Sequence, residues 1–436
     1  MASLGDMMGL LNKLGETELG QRLQVHERAQ QVLREGAKSG LSAATRAAER
    51  MKPLARRFRP ERGERGDARP ALFDLHPTEE QQMLQEMLRR FGEEAMRPLA
   101  EQADAEARVP EELLDHVHEL GIAAMPIPEA LGGAGEARSP LTTALVAEEL
   151  SRGDMGFAYA ALAPAAVVHA LIDHGTPEQG EAHLPRFTRE RFTAATFALA
   201  EPTAMFDPNA LDTRAKRSGS DWVLRGVKTM VALGERAELL LVAAAIDGKR
   251  PALFLVERGL DGLSVAPEPA MGLRSAAPCR ITLEDVRVPK DALLGGEADE
   301  ASYAAVVDKA RIGWGAMAVG TAQAMLDYVI PYCGDRKAFG EPITHRQAVA
   351  FLIADIAIEV EGMRLAVWRA ASRAEQGRDF RREAYLARLQ CTDKGMKVGT
   401  DGVQLLGGHG FIKDHPVERW YRHLRGIGVM EGGLVV

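Results

Sequence analysis

Apolar residues recur at helical spacing, then in short strand-like runs, then at helical spacing again, and these two changes of period set the fold class. Residues 75–190 carry helical faces: Leu84, Met87, Leu88 and Phe91 form one, and Leu141, Ala144 and Leu145 another. His76-Pro77-Thr78-Glu79-Glu80 supplies a helix start signal, while Pro126-Ile127-Pro128 and Gly132-Gly133 break the pattern. From 191 to 295 the apolar runs shorten to 192–200, 222–225, 239–245 and 252–256. Ser218-Gly219-Ser220-Asp221, Asp247-Gly248 and Asp261-Gly262 separate them. That spacing predicts an antiparallel β domain. From 296 to 436 long helical patterns return, over 343–375 and 381–406. The expected fold class is α+β, mostly helical, in the order helical domain, β domain, helical domain. No apolar run reads as long enough for a membrane helix.

The charge is unevenly spread. The chain has 436 residues, enough for two or three domains, and a formal net charge of −8. Residues 1–70 hold 14 Lys and Arg against 9 Asp and Glu, so the remainder carries −13. An acidic body argues against nucleic acid as a partner. Residues 1–74 read as a basic extension and linker. Met7, Met8, Leu10, Leu11 and Leu14 lie near helical spacing, and the stretch from Arg56 to Arg69 is rich in Arg, Gly and Pro. A floppy leader, a helix on an anionic membrane surface or on a partner, and a mitochondrial leader all remain open for it. Cys279, Cys333 and Cys391 stand far apart and suggest no disulfide framework. A reducing compartment fits, the cytoplasm first and the mitochondrial matrix second.

Local motifs exclude more than they assign. No Rossmann fingerprint or phosphate loop is present. Gly407-Gly408-His409-Gly410 follows a helical pattern, which by itself reads as a helix C-cap and turn. The histidines show no metal-ligand spacing, so no metal site is expected. No Ser or Cys sits in a nucleophile motif.

Several segments, taken in order, carry a resemblance. They are Leu120-Gly121-Ile122 with 128–133, Phe197-Ala198-Leu199-Ala200-Glu201-Pro202 followed by Asp207, and Gly272-Leu273-Arg274-Ser275. Asp285-Val286-Arg287-Val288-Pro289, Asp308-Lys309-Ala310-Arg311 and Arg336-Lys337-Ala338-Phe339-Gly340 follow. Gln347, Gln404 with Gly407-Gly408, Pro416-Val417-Glu418-Arg419 and Met430-Glu431-Gly432 complete the set. From about residue 78 onward the chain resembles the acyl-CoA dehydrogenase family.

The resemblance implies a helical domain, a β-barrel-like domain and a four-helix bundle, with FAD between the last two. It implies Glu431 as the base that takes the α-proton of a fatty acyl-CoA, the β-hydride going to flavin N5 and a trans-2-enoyl-CoA being formed. Phe197, Leu199, Ala200, Met230, Ala232, Ala338 and Gly433 would lie along the flavin. Arg336, Gln347, Gln404, Gly407 and Gly408 would hold its adenine end, partly across a subunit boundary. Phe206, Asp308 and Arg311 would line the acyl-CoA site, although the last two also read as an ordinary i, i+3 ion pair. A homodimer or homotetramer and an electron-transferring flavoprotein as acceptor are implied in the same way.

The chain departs from the family where hydroxyls usually meet the flavin. Ala200, Ala232, Ala338 and Gly433 each stand for a threonine, Met230 for a tryptophan, and Met205-Phe206 for a Gly-Ser pair. The sequence stops at Val436, where the family continues into a further helix. A fragment and an early stop are both open, and each leaves the active-site lid short. Two alternatives stand beside the dehydrogenase: an acyl-CoA oxidase, and a catalytically impaired paralogue that binds acyl-CoA or a protein partner.

Overall fold

The first helix begins where the start signal places it. The hydroxyl of Thr78 accepts from the N–H of Gln81, and the Gln81 side chain accepts from the N–H of Thr78, a reciprocal cap on α1 (Glu79–Phe91). A computed structural model describes residues 76–436, which fall in one unit, so the expectations for the basic extension lie outside the described residues. After a π-turn come α2 (Arg97–Glu106), α3 (Glu111–Glu119), α4 (Pro140–Gly153), α5 (Met155–His174) and α6 (Pro177–His183). Twenty residues long, α5 is apolar enough to cross a membrane by length and composition, which corrects the sequence reading. Its apolar surface is instead buried inside the protein.

The middle of the chain forms β1 (Ala195–Ala198), β2 (Arg214–Ser218), β3 (Asp221–Val231), β4 (Leu239–Ile246), β5 (Arg250–Glu257), β6 (Leu263–Pro267) and β7 (Cys279–Val288). They make one curled sheet in the order β1-β4-β2-β3-β7-β6, with β5 on β4. The sheet is mixed, not antiparallel as expected, because β1 and β2 both run parallel to β4. The β2–β3 hairpin is inserted between β1 and β4, so β4 returns beside β1 in the same direction. Alternation along a strand encodes which face is buried, not which way its neighbour runs. All eight residues of β4 are buried, and they divide by parity. Leu239, Leu241, Ala243 and Ala245 join the core that includes β1 and α5, and Leu240, Val242, Ala244 and Ile246 join the core inside the curled sheet.

The C-terminal part holds α7 (Glu300–Asp335), the short strands β8 (Lys337–Ala338) and β9 (Glu341–Pro342), then α8 (Gln347–Glu375), α9 (Arg381–Leu406) and α10 (Val417–Gly426). Buried residues from α7, α8, α9, α10, α4 and α5 share one apolar core. Residues 430–436 follow α10 and are buried throughout.

Candidate active site

Glu431 sits in a loop pinned on both sides. Arg388 Nη1 on α9 donates to the Met430 carbonyl at 2.8 Å, and Trp314 Nε1 on α7 donates to the Gly432 carbonyl at 2.7 Å. Gly432 and Gly433 both take φ of +76°, and side chains there would strike Leu199 and the Tyr159 ring. The Tyr159 ring thus explains why position 433 is glycine. Glu431 is 7 % exposed. Its Oε1 lies 3.4 Å from Arg311 Nη2 and 3.1 Å from Arg388 Nη2. Its Oε2 is buried with no hydrogen-bond partner. The loop therefore presents a carboxylate with one oxygen fixed and the other free to take a proton.

Arg311 bridges Glu431 to Asp308, at 3.2 Å from Oδ1. The ion pair read from sequence is therefore real, and it also touches the site. Burial pushes the Asp308 carboxyl up, with Arg311 opposing it. Arg388 was missed. It lies on α9, 43 residues before Glu431, and no local pattern links the two. Burial lowers its pKa against the pull of Glu431. Replacing Arg388 by Met removes a charged hydrogen bond to the loop and one neighbour of Oε1. We expect kcat to fall roughly 10- to 100-fold, at about 1.5–3 kcal/mol for such a contact. Stopped-flow reduction of the bound flavin would measure this, and an unchanged rate would remove Arg388 from the site.

Of the residues expected along the flavin, Phe197, Leu199, Ala200, Met230, Ala232 and Gly433 are gathered in one place, whereas Ala338 lies apart from them on β8, beside Arg336. Phe197 lies on β1 and Leu199 and Ala200 follow it, all buried. Met230, at φ +56°, and Ala232 stand at the end of β3. Tyr159 on α5 joins them: its hydroxyl donates to the Met230 carbonyl at 2.9 Å and accepts from the Ala232 N–H at 3.2 Å. Burial pushes this phenol up, so it stays protonated. A phenol within the apolar run of α5 was the signal overlooked in the sequence. Below this strand end, fully buried Lys228 binds the Leu199 carbonyl at 3.0 Å and Glu201 at 2.7 Å. Burial lowers its pKa to about 8 against the pull of Glu201. Phe206 is half-buried against the same core.

The expected adenine end is an open cradle. Arg336, Gln404, Gly407 and Gly408 line a cavity of about 530 Å3 together with Tyr332 and His409. Helix α9 ends here, with Gly407 at φ +58°, so the C-cap reading and the cradle describe the same turn. Side chains built at Gly407 or Gly408 would meet nothing within 4 Å. Open glycine backbone beside an arginine suits a phosphate-bearing cofactor. Gln347, exposed at the start of α8, and Ala338, on β8, do not line this cavity. Arg336 and Arg311 are separated by 25 residues of α7, about 37 Å at 1.5 Å per residue, too far for one cofactor to span within a chain, so the residues present fit FAD as the expected division across a subunit boundary has it.

The chain is similar to known proteins over most of its described residues. Sequence models described as acyl-CoA dehydrogenase N-terminal, middle and C-terminal domains match residues 78–191, 196–286 and 303–434. The mitochondrial short-chain specific acyl-CoA dehydrogenase of Bos taurus is 35 % identical over 361 residues, which is 81 % of this chain and 87 % of the relative. The butyryl-CoA dehydrogenase structure from Megasphaera elsdenii superposes with a TM-score of 0.75 at 28 % identity, covering 82 % of this chain and 95 % of that one. A chain in a structure of the electron transferring flavoprotein of Acidaminococcus fermentans gives the same TM-score at 31 % identity, over 82 % and 95 %.

Proposed function

Because the chain belongs to the acyl-CoA dehydrogenase family of flavin-dependent oxidoreductases, we propose that it binds FAD and converts a fatty acyl-CoA to its trans-2-enoyl-CoA. The observation that supports this reading is the split environment of Glu431, with Oε1 held by two guanidinium groups and Oε2 unpartnered. Glu431 Oε2 takes the α-proton. Arg311 and Arg388 keep the carboxylate aimed, and the pinned carbonyls of Met430 and Gly432 keep the loop from turning away. The main-chain N–H of Glu431 polarises the thioester carbonyl, where negative charge develops. Bound FAD supplies the acceptor for the β-hydride. Tyr159 holds the Met230–Ala232 turn in place of the absent threonine hydroxyls. Arg336 and the amides around Gly407 and Gly408 hold the phosphates.

Incubation with acyl-CoAs of graded length and an artificial electron acceptor tests the reaction. An enoyl product lighter by two hydrogens is expected, and its absence across the series would refute the reading. Arg336→Gln should weaken FAD binding about tenfold or more, as expected when a charged phosphate contact is lost. Fluorescence titration of the apoprotein with FAD measures it, and equal affinity would remove Arg336 from the cofactor site.

An electron-transferring flavoprotein is the proposed acceptor, supported by the likeness to a chain solved in such a system. A homo-oligomer is proposed on the exposed apolar face of the bundle. Phe351, Ile358 and Leu365 lie seven residues apart on α8, with Tyr385, Leu386 and Leu389 on α9, all exposed.

A further inference from the structure

Aromatic side chains close the turn that follows α9. Tyr328 and Tyr332, one helical turn apart on α7, both lie against His415, and Tyr328 also lies against Trp420 on α10. The Tyr328 hydroxyl is 2.6 Å from His415 Nδ1. His409 joins this cluster from the turn itself. Its ring meets that of His415 edge to face at 5.6 Å, and its Nδ1 lies 3.3 Å from the Tyr332 hydroxyl. Gly410 seats the turn on α9, since a side chain there would strike the Val403 carbonyl. Tyr328, His415, Trp420 and Gly410 suffice to hold the turn down. They do not account for His409, which is half-buried and lines the cradle of about 530 Å3 together with Tyr332 and Arg336.

The Tyr332 contact decides what His409 offers. A phenol that donates to Nδ1 leaves the proton of the neutral imidazole on Nε2. Nε2 has no hydrogen-bond partner among the described residues. An N–H donor on a ring held by Tyr332 and His415 is therefore left for what enters the cradle.

The electrostatics of the place make that donor matter. Helices α7 and α9 both end here, at Asp335 and Leu406, and neither has a basic residue in its last turn. Helix C-termini carry partial negative charge and disfavour an anion. No Asp or Glu lines the cavity, and its basic lining side chains are Arg336 and His409. Arg336 is exposed, so water and salt weaken its pull. Asp335 precedes it in the chain but does not line the cavity.

Resting on the FAD reading, we propose that His409 is a second phosphate-binding side chain of the cradle, donating from Nε2 to the diphosphate of FAD. Tyr332 is its positioning residue, because the phenol selects the tautomer that keeps the proton on Nε2. ADP carries the same diphosphate without the flavin and reports on the cradle alone.

The test titrates the full-length apoprotein with FAD, ADP and adenosine by calorimetry. His409→Phe keeps a ring to pack on His415 but loses the donor. It should bind FAD and ADP about tenfold more weakly, the loss expected for one hydrogen bond to a charged group, and adenosine as the wild type does. His409→Gln keeps an N–H donor without the ring and should stay within about threefold of wild type for ADP. His409→Leu serves if the phenylalanine variant does not fold. ADP affinity in the donor-less variant equal to wild type would overturn this inference alone. So would an equal loss for adenosine, which marks packing and not phosphate. Wild-type protein that binds neither FAD nor ADP would overturn the FAD reading as well.

Discussion

Glu431→Gln is expected to give a folded, yellow protein whose flavin is no longer reduced by substrate at a useful rate. Glutamine keeps the shape of the side chain and an oxygen for Arg311 and Arg388, but it cannot take a proton. General-base catalysis is worth about 10²- to 10⁴-fold, so the rate of flavin reduction should fall by at least that range. FAD affinity should change little, because Glu431 is not among the residues that line the adenine cradle. Alanine stands at position 310, just before Arg311, so no carboxylate there takes over the task. Rapid-mixing absorbance measures the effect, and a reduction rate within threefold of wild type would show that another group takes the proton.

The second large effect is on stability and falls at Asp154. This carboxylate is fully buried at the N-cap of α5, where it accepts from the Phe157 N–H at 3.1 Å and from Ser275 Oγ at 2.9 Å. His423 Nε2 and Arg419 Nε each lie 3.3 Å from Oδ2, and His423 Nδ1 accepts from the Leu273 N–H at 2.9 Å. One side chain thus ties α5, the β6–β7 connection and α10 together. Asp154→Ala strands the buried Arg419 and removes a cap, so unfolding free energy should fall by about 3–5 kcal/mol. A lower urea midpoint with an unchanged slope would show it, and a shift below about 1 kcal/mol would contradict it. Burial pushes this carboxyl up, but His423 and Arg419 beside it outweigh burial and hold it well below the usual range. The stabilisation is therefore complete above the unfolded pKa of about 3.9 and is lost as pH falls below it. Wild type and Asp154→Ala should converge in stability in acid.

Much of this was legible in the chain because it rests on local pattern. The run from His76 to Glu80 marks a helix start, and the unbroken apolar run over 239–245 marks a buried strand. Asp308 and Arg311 are near neighbours on one helix, and Gly407 ends a helix wherever it is found. The site is different. Arg388 and Tyr159 come to Glu431 from sequence distances that no period records. The direction of β4 depends on a hairpin inserted elsewhere.

The departures from the family take on a physical sense in this setting. Alanine at 232 and methionine at 230 leave main-chain groups that the Tyr159 hydroxyl then satisfies. Glycine at 433 gives the Tyr159 ring its room. Substituted flavin contacts are thus compatible with an ordered site, and they shift the work of binding toward main chain and toward the adenine cradle.

The most direct test is the visible spectrum of the purified protein reconstituted with FAD, taken before and after anaerobic addition of an acyl-CoA. We predict a flavin band that bleaches on addition in the wild type and persists in Glu431→Gln. A folded protein that takes up no FAD, or a bound flavin that no acyl-CoA bleaches, would contradict the dehydrogenase assignment.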